Sequence, residues 1–172
     1  ARDYVVAACW EFIIPGRGME IVNIGAVSFP AAVDHAIRAG LTAQDDFQHI
    51  LDRVSENINE QVHQLGEAYS RLLLPPAPYY SVFMDGCLEQ GKDLSDGLKY
   101  NNFGIHGACA ANAADALAAV KQFLFEDHSV SSDDLLFVFD TDFVGYEPLQ
   151  HKLANDGSKV GNNDAIADTL LV

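Results

Sequence analysis

Asp85-Gly86-Cys87-Leu88-Glu89-Gln90-Gly91-Lys92-Asp93 stands at the middle of the 172-residue chain, and its reading decides the fold. Residue by residue, it closes a short helix-like segment, Tyr80 to Glu89, with Gly91 after its end, where a glycine suits the chain reversal. Ser95-Asp96-Gly97 has turn chemistry, and Tyr100-Asn101-Asn102-Phe103-Gly104 follows it.

Two strong helical patterns flank this block. Upstream, Phe47, Ile50, Leu51, Val54, Ile58, Val62, Leu65, Tyr69 and Leu72 recur at three- and four-residue spacing, so one apolar stripe faces a core. Thr42-Ala43-Gln44-Asp45 resembles a capping box opening that helix, and Pro75-Pro76 ends it. Downstream, the spacing predicts a helix from about Ala108 to Glu126, whose alanines permit close packing. Ser131 or Ser132 caps the next helix, with Asp133 and Asp134 at its positive end. A short helix follows Gly145, and Gly157 to Asn163 reads as loop.

Nearer the start, residues 4–8 read as a short buried strand, and Pro15-Gly16-Arg17-Gly18 marks a loop. After an apolar stretch around Ile21 to Val27, Ser28 caps a helix with Pro30 in its first turn and Gly40 as its stop. No internal repeat or linker interrupts the pattern, so residues 1–172 are expected to form a single unit.

Composition narrows the function classes. Ten Lys and Arg stand against 25 Asp and Glu, a formal charge of −15, and no basic stripe is present that could displace counterions from phosphates. Nucleic acid is therefore not an expected partner. Cys9, Cys87 and Cys109 are odd in number and widely spaced, which argues against a disulfide framework or zinc knuckle. His35, His49, His63, His106, His128 and His151 have no metal-site spacing, so no metal is expected. No membrane span or signal peptide is evident. A soluble, reducing compartment, the cytoplasm, is the expected location.

The central block, with Tyr100-Asn101-Asn102-Phe103-Gly104, Ala111-Asn112-Ala113-Ala114-Asp115 through Lys121, Phe143-Val144-Gly145-Tyr146-Glu147 and Lys159-Val160-Gly161-Asn162-Asn163-Asp164, resembles the closing part of the large domain of glycyl radical enzymes, the pyruvate formate-lyase superfamily. The resemblance runs over nearly the whole chain. It implies an α/β fold, a mostly helical fragment of a ten-stranded α/β barrel. On this reading the chain is a carboxy-terminal partial domain, inactive alone, that lacks the glycyl radical segment and exposes apolar helix faces covered in the parent.

In that frame Ala8-Cys9-Trp10-Glu11 falls where the family has its thiyl-radical cysteine and, in the dehydratase branch, its base. Cys9 would take a hydrogen atom from substrate carbon, and Glu11 a hydroxyl proton. Without the frame, Cys9 reads as a small buried hydrophobe and Glu11 as a solvated loop carboxylate. The resemblance further implies a small-molecule substrate, a glycyl radical installed by a radical-SAM activase with an iron–sulfur cluster, and a homodimer for the full-length protein. The fragment itself would bind no cofactor.

Two departures bear on the reaction. Pyruvate formate-lyase has two adjacent cysteines, whereas Ala8 and Trp10 flank Cys9 here, so acyl transfer is the weaker alternative to a lyase cleaving a C–O, C–N, C–S or C–C bond. Diol dehydratases carry an aspartate at the position of Asn23. A different alternative is a non-catalytic helical scaffold that keeps only the fold. Cys87 and Cys109 are expected in the core, Asn112 and Asp115 as braces, and His49 and His63 on a polar helix face.

Overall fold

The computed structural model describes residues 3–7 and 11–171. Two short strands, β1 (Val5–Ala7) and β2 (Glu11–Ile13), pair antiparallel in the register Val5↔Ile13, Val6↔Phe12, Ala7↔Glu11. The long strand β3 (Gly18–Ser28) leads into α1 (Phe29–Ala43) and α2 (Phe47–Ser70). Three one-turn helices follow: α3 (Pro78–Ser81), α4 (Cys87–Gln90) and α5 (Leu94–Gly97). Strand β4 (Tyr100–Ala108) pairs with β3. Helix α6 (Ala110–Val120) continues into a π-helical stretch, Lys121–Glu126, and α7 (Ser132–Asp140), α8 (Glu147–Asn155) and α9 (Ala165–Leu171) complete the order.

The starts of β3 and β4 meet, with the Tyr100 N–H donating to the Arg17 carbonyl at 3.2 Å. Their ends also meet, since a Cβ on Gly107 would run into the Phe29 ring. The strands therefore run in the same direction, and the helices between them supply the crossover that a parallel pair requires.

The chain divides into two compact units. The first comprises the residues up to Ala26 together with Val62–His106, and the second Val27–Gln61 together with Gly107 onward. The second unit has the apolar core. Val33, Ala36, Ile37 and Leu41 of α1 pack with Ile50 and Val54 of α2, Leu117 and Val120 of α6, Phe123 of the π stretch, and Leu135 and Val138 of α7. Burying each large member contributes roughly 1.5–3 kcal/mol. The alanines of α6 let it meet α1, α8 and α9 closely.

Several boundaries follow the predicted caps. The Ser28 hydroxyl accepts the Ala31 N–H at 3.3 Å, and that of Ser131 accepts the Asp134 N–H at 3.1 Å. Others move for identifiable reasons. Gly40 does not stop α1; it is buried inside it, where a Cβ would meet Ile50 Cγ1 at 2.6 Å. The helix ends at Gln44, in the left-handed conformation at φ 59°. Thr42 does not open α2: its hydroxyl donates to the Arg38 carbonyl in the last turn of α1. The acceptor at the start of α2 is Asp46, whose carboxylate takes the His49 N–H at 2.9 Å.

Candidate functional site

Glu11 opens β2 and is half-buried. Its backbone pairs with Ala7, so only residues 8–10 separate the two opposed positions. Cys9, the expected radical residue, and Trp10 lie outside the described residues. Tyr4 and Phe12 bring their rings to 4.5 Å on this hairpin, an aromatic pairing that holds the two strands together.

The turn that ends β2 is held on several sides. The Ile14 carbonyl accepts the N–H groups of Arg17 and Gly18 at 2.9 and 2.8 Å, and the Ile14 N–H donates back to Gly18 at 3.3 Å. Gly16 sits at φ +73°, the left-handed region that glycine enters without steric cost. Outside the turn, the Asp85 N–H donates to the Gly16 carbonyl at 2.7 Å, and Arg17 Nε donates to the Asp85 carboxylate at 2.9 Å. The Tyr100 N–H donates to the Arg17 carbonyl. Gly18 is buried, and a Cβ there would lie 2.8 Å from that of Tyr100. Both central blocks singled out in the sequence, Asp85–Asp93 and Tyr100–Gly104, thus begin on the turn that follows the Glu11 strand.

The rest of the Asp85–Asp93 block is a polar clasp. The Asp93 carboxylate accepts from the Ser81 hydroxyl at 2.8 Å and the Ala77 N–H at 2.9 Å, while the Ser81 oxygen accepts the Leu94 N–H. The Ser81 hydrogen bond, aided by the backbone donors Ala77 and Ser95, holds the Asp93 carboxyl below its usual range. Cys87 is buried within this clasp, as expected of a core residue. Burial, then the charges of Asp93 and Glu89, push its thiol up, so it stays protonated and unreactive.

Other expected residues are spread out. Cys109 is not in the core: it is exposed at φ 59°, where it precedes α6 and turns the chain off β4. Asp115 braces the fold by accepting the Val160 N–H at 2.8 Å. Asn112 is exposed beside a cavity of about 390 Å³ in the second unit, lined by apolar side chains of α1, α6, α7 and α8. His49 and His63 are exposed on α2, and His106 is half-buried on β4. Asn23 belongs to β3. Among the described residues, no three His, Cys, Asp or Glu side chains converge on a metal-sized site, and no helix is long and apolar enough to cross a membrane.

A cavity of about 580 Å³ in the first unit is lined by Val62, Tyr69, Leu72, Phe103 and Ile105 among others. Tyr69 and Phe103 place their rings 4.5 Å apart on its wall. Its lining is mostly apolar, with Ser70 and Ser95 among it, in contrast to the hydrogen-bonded turn beside Glu11.

The model of the family described as pyruvate formate lyase-like matches residues 1–172. The (2S)-3-sulfopropanediol dehydratase of Klebsiella oxytoca is 29% identical over 194 residues, covering 99% of this chain and 23% of that protein. Among solved structures, the glycerol-bound B12-independent glycerol dehydratase of Clostridium butyricum superposes with a TM-score of 0.82 at 23% identity, over 99% of this chain and 24% of the other. A glycyl radical enzyme of Archaeoglobus fulgidus gives a TM-score of 0.80 at 26% identity, over 98% and 24%. The chain spans about a quarter of the length of the proteins it matches. The β3–β4 pair and its surrounding helices are therefore a mostly helical part of an α/β barrel, and the chain belongs to the pyruvate formate lyase-like family of glycyl radical enzymes.

Proposed function

We propose that the chain is the part of a glycyl radical lyase that carries the radical cysteine and its base. Cys9, as a thiyl, takes a hydrogen atom from a hydroxyl-bearing carbon of a small substrate, forming the S–H bond and leaving a carbon radical. Glu11 accepts the hydroxyl proton. The resulting ketyl-type radical anion forms its carbonyl and expels the group on the neighbouring carbon with the bonding pair. The radical moves to that neighbour, which takes a hydrogen atom back from Cys9. Glu11 returns its proton to the leaving group, so the cycle closes without added oxidant or reductant. In the whole protein, a glycyl radical installed by a radical-SAM activase with an iron–sulfur cluster supplies the first acceptor for the Cys9 hydrogen.

The observation that carries this reading is the register of the Glu11 hairpin. Glu11 is paired with Ala7, and one residue separates Cys9 from Glu11 in the sequence, so chain length alone caps the distance between their Cα atoms at roughly 7.6 Å. Side chains carried that near each other along the chain can act on adjacent atoms of one small molecule. The 29% identity to a dehydratase across 99% of the chain supports elimination over acyl transfer, as does the single cysteine at this position.

The test uses the full-length protein, activated anaerobically by its activase and offered (2S)-3-sulfopropanediol, with glycerol alongside. The expected result is a glycyl doublet by electron spin resonance and turnover of the sulfonated diol. Cys9→Ala should keep the doublet and lose turnover; a Cys9→Ala protein that still turns over would refute the radical role. Glu11→Gln should lower kcat by about 10²–10⁴-fold, and undiminished turnover would point to decarboxylation or another route that needs no base here.

A further inference from the structure

We infer that Arg17 and Asp85 form a positioning pair that sets the placement of the Glu11 strand, and with it the site proposed above, on whose reading the catalytic part of this inference rests. Glu11, Ile14, Gly16, Arg17, Gly18, Asp85 and Tyr100 all belong to one compact unit. Asp85 reaches the turn after β2 twice, through its N–H to the Gly16 carbonyl at 2.7 Å and through its carboxylate to Arg17 Nε at 2.9 Å. Tyr100 holds the Arg17 carbonyl from a second segment. Successive carbonyls and the side chain between them are thus fixed by residues 68 and 83 positions away in sequence.

Leverage gives this small contact its effect. Glu11 lies three residues before Ile14, where the turn closes, roughly 10 Å along an extended strand at 3.3 Å per residue. A tilt of about 6° at the turn therefore moves Glu11 by about 1 Å, a displacement that can lower a rate about a hundredfold. The pair itself is solvent-exposed, with side chains 55% and 64% accessible. Such a pair adds little to overall stability, so its effect falls on position. The β1–β2 register alone does not replace it, because β1 and β2 form a separate two-stranded sheet whose paired positions end at Ile13.

The experiment compares Arg17→Ala, Asp85→Asn and the swap Arg17→Asp with Asp85→Arg in the full-length protein. Amide hydrogen exchange is followed at Arg17 and Gly18, and kcat and KM are followed on the compound that the unmodified enzyme turns over. The expected result is about two- to fivefold faster exchange at those amides in Arg17→Ala, with α1 unchanged. It should be joined by a ten- to hundredfold lower kcat, an unchanged KM and glycyl doublet, and recovery of both readouts in the swap. Unchanged exchange would overturn the positioning role, and faster exchange with unchanged kcat would reduce the pair to a local brace and overturn the catalytic part. A Cys9→Ala protein that keeps turnover would instead sink the proposed reaction while leaving the exchange result standing.

Discussion

The two units are held by different forces. Among the described side chains, the buried apolar ones lie almost wholly in the second unit, from Ala32 and Val33 on α1 to Ala167 on α9; the first has only Cys87 and Leu98. Exposed apolar side chains are distributed the opposite way, with Leu73, Tyr79, Phe83 and Leu88 in the first. What holds the first unit is hydrogen bonding, from the Ser81 and Asp93 side chains to backbone N–H groups and from Asp85 to Gly16 and Arg17, together with glycines that let segments nearly touch. An apolar core is non-directional and supplies stability. Hydrogen bonds are directional and fix position. Glu11 belongs to the unit built for position.

The largest stability effect should come from the second unit. Leu135 is 1% exposed in the core between α1 and α7, and Leu135→Ala should cost about 2–5 kcal/mol, read as faster amide exchange across those helices. A cost below about 1 kcal/mol would show that this unit does not depend on its core. The matching change in the first unit is Gly97→Ala. A Cβ there meets the Lys92 carbonyl at 2.9 Å and Cys87 Sγ at 3.0 Å, and the carbonyl, being backbone, cannot swing aside. Overpacking of this kind should cost about 1–3 kcal/mol, with the loss confined to exchange in residues 77–97. At Leu88, 67% exposed, truncation to alanine should change stability by less than about 0.5 kcal/mol.

The clasp also carries a pH signature that the core lacks. Hydrogen bonds led by Ser81 lower the Asp93 carboxyl from its ordinary 3.8. A depressed acid contributes stability that is present above the unfolded value and lost as pH falls through the folded one. Protection of the amides in residues 77–97, corrected for intrinsic exchange, should therefore fall below about pH 4 while that of the α1 and α7 amides holds. Ser81→Ala leaves the Leu94 N–H without its acceptor and should cost about 1–2 kcal/mol. It should also flatten the acid limb, because the largest cause of the Asp93 shift is gone; an acid limb as steep as in the unmodified protein would mean the pH dependence originates elsewhere.

What the sequence made legible follows the same division. The caps at Ser28 and Ser131 and the helix after Gly145 are local, carried by a few adjacent residues, and they stand where expected; a strand also forms within the expected residues 4–8, but Val5 and Val6 are exposed on a two-stranded sheet rather than buried. Gly40 misled because its small size serves a contact with Ile50, a matter of packing between helices. Strand β4 was hidden because Tyr100-Asn101-Asn102 is polar and exposed, without the alternation that marks a half-buried strand. The π-helical stretch Lys121–Glu126 has the same periodic apolar residues as an α-helix, so spacing could not separate the two. At the site, Glu11 could be singled out beside Cys9 by two-residue spacing and family likeness. The bond from Arg17 to Asp85 could not, since no periodicity links residues 68 apart.

The smallest expected effect lies at the start of α2. Asp46 accepts both the N–H and the Nδ1 of His49, at 2.9 and 2.8 Å. The bond from the imidazole raises the His49 pKa from 6.5, and the His49 bonds lower that of Asp46 from 3.8. The signs oppose. Stability from charged His49 is fully present below about pH 6.5 and is lost as pH rises through its raised value; that from ionised Asp46 is lost as pH falls through its lowered one. Protection of the first-turn amides of α2, corrected for intrinsic exchange, should therefore peak between about pH 4 and 6.5. Both groups are exposed, so the change should be slight and weaken further in high salt. His49→Gln should abolish the loss on the alkaline side and keep the acid one, because the Asp46 carboxylate still takes the backbone N–H of residue 49. An alkaline loss that survives in His49→Gln would assign it to a different group.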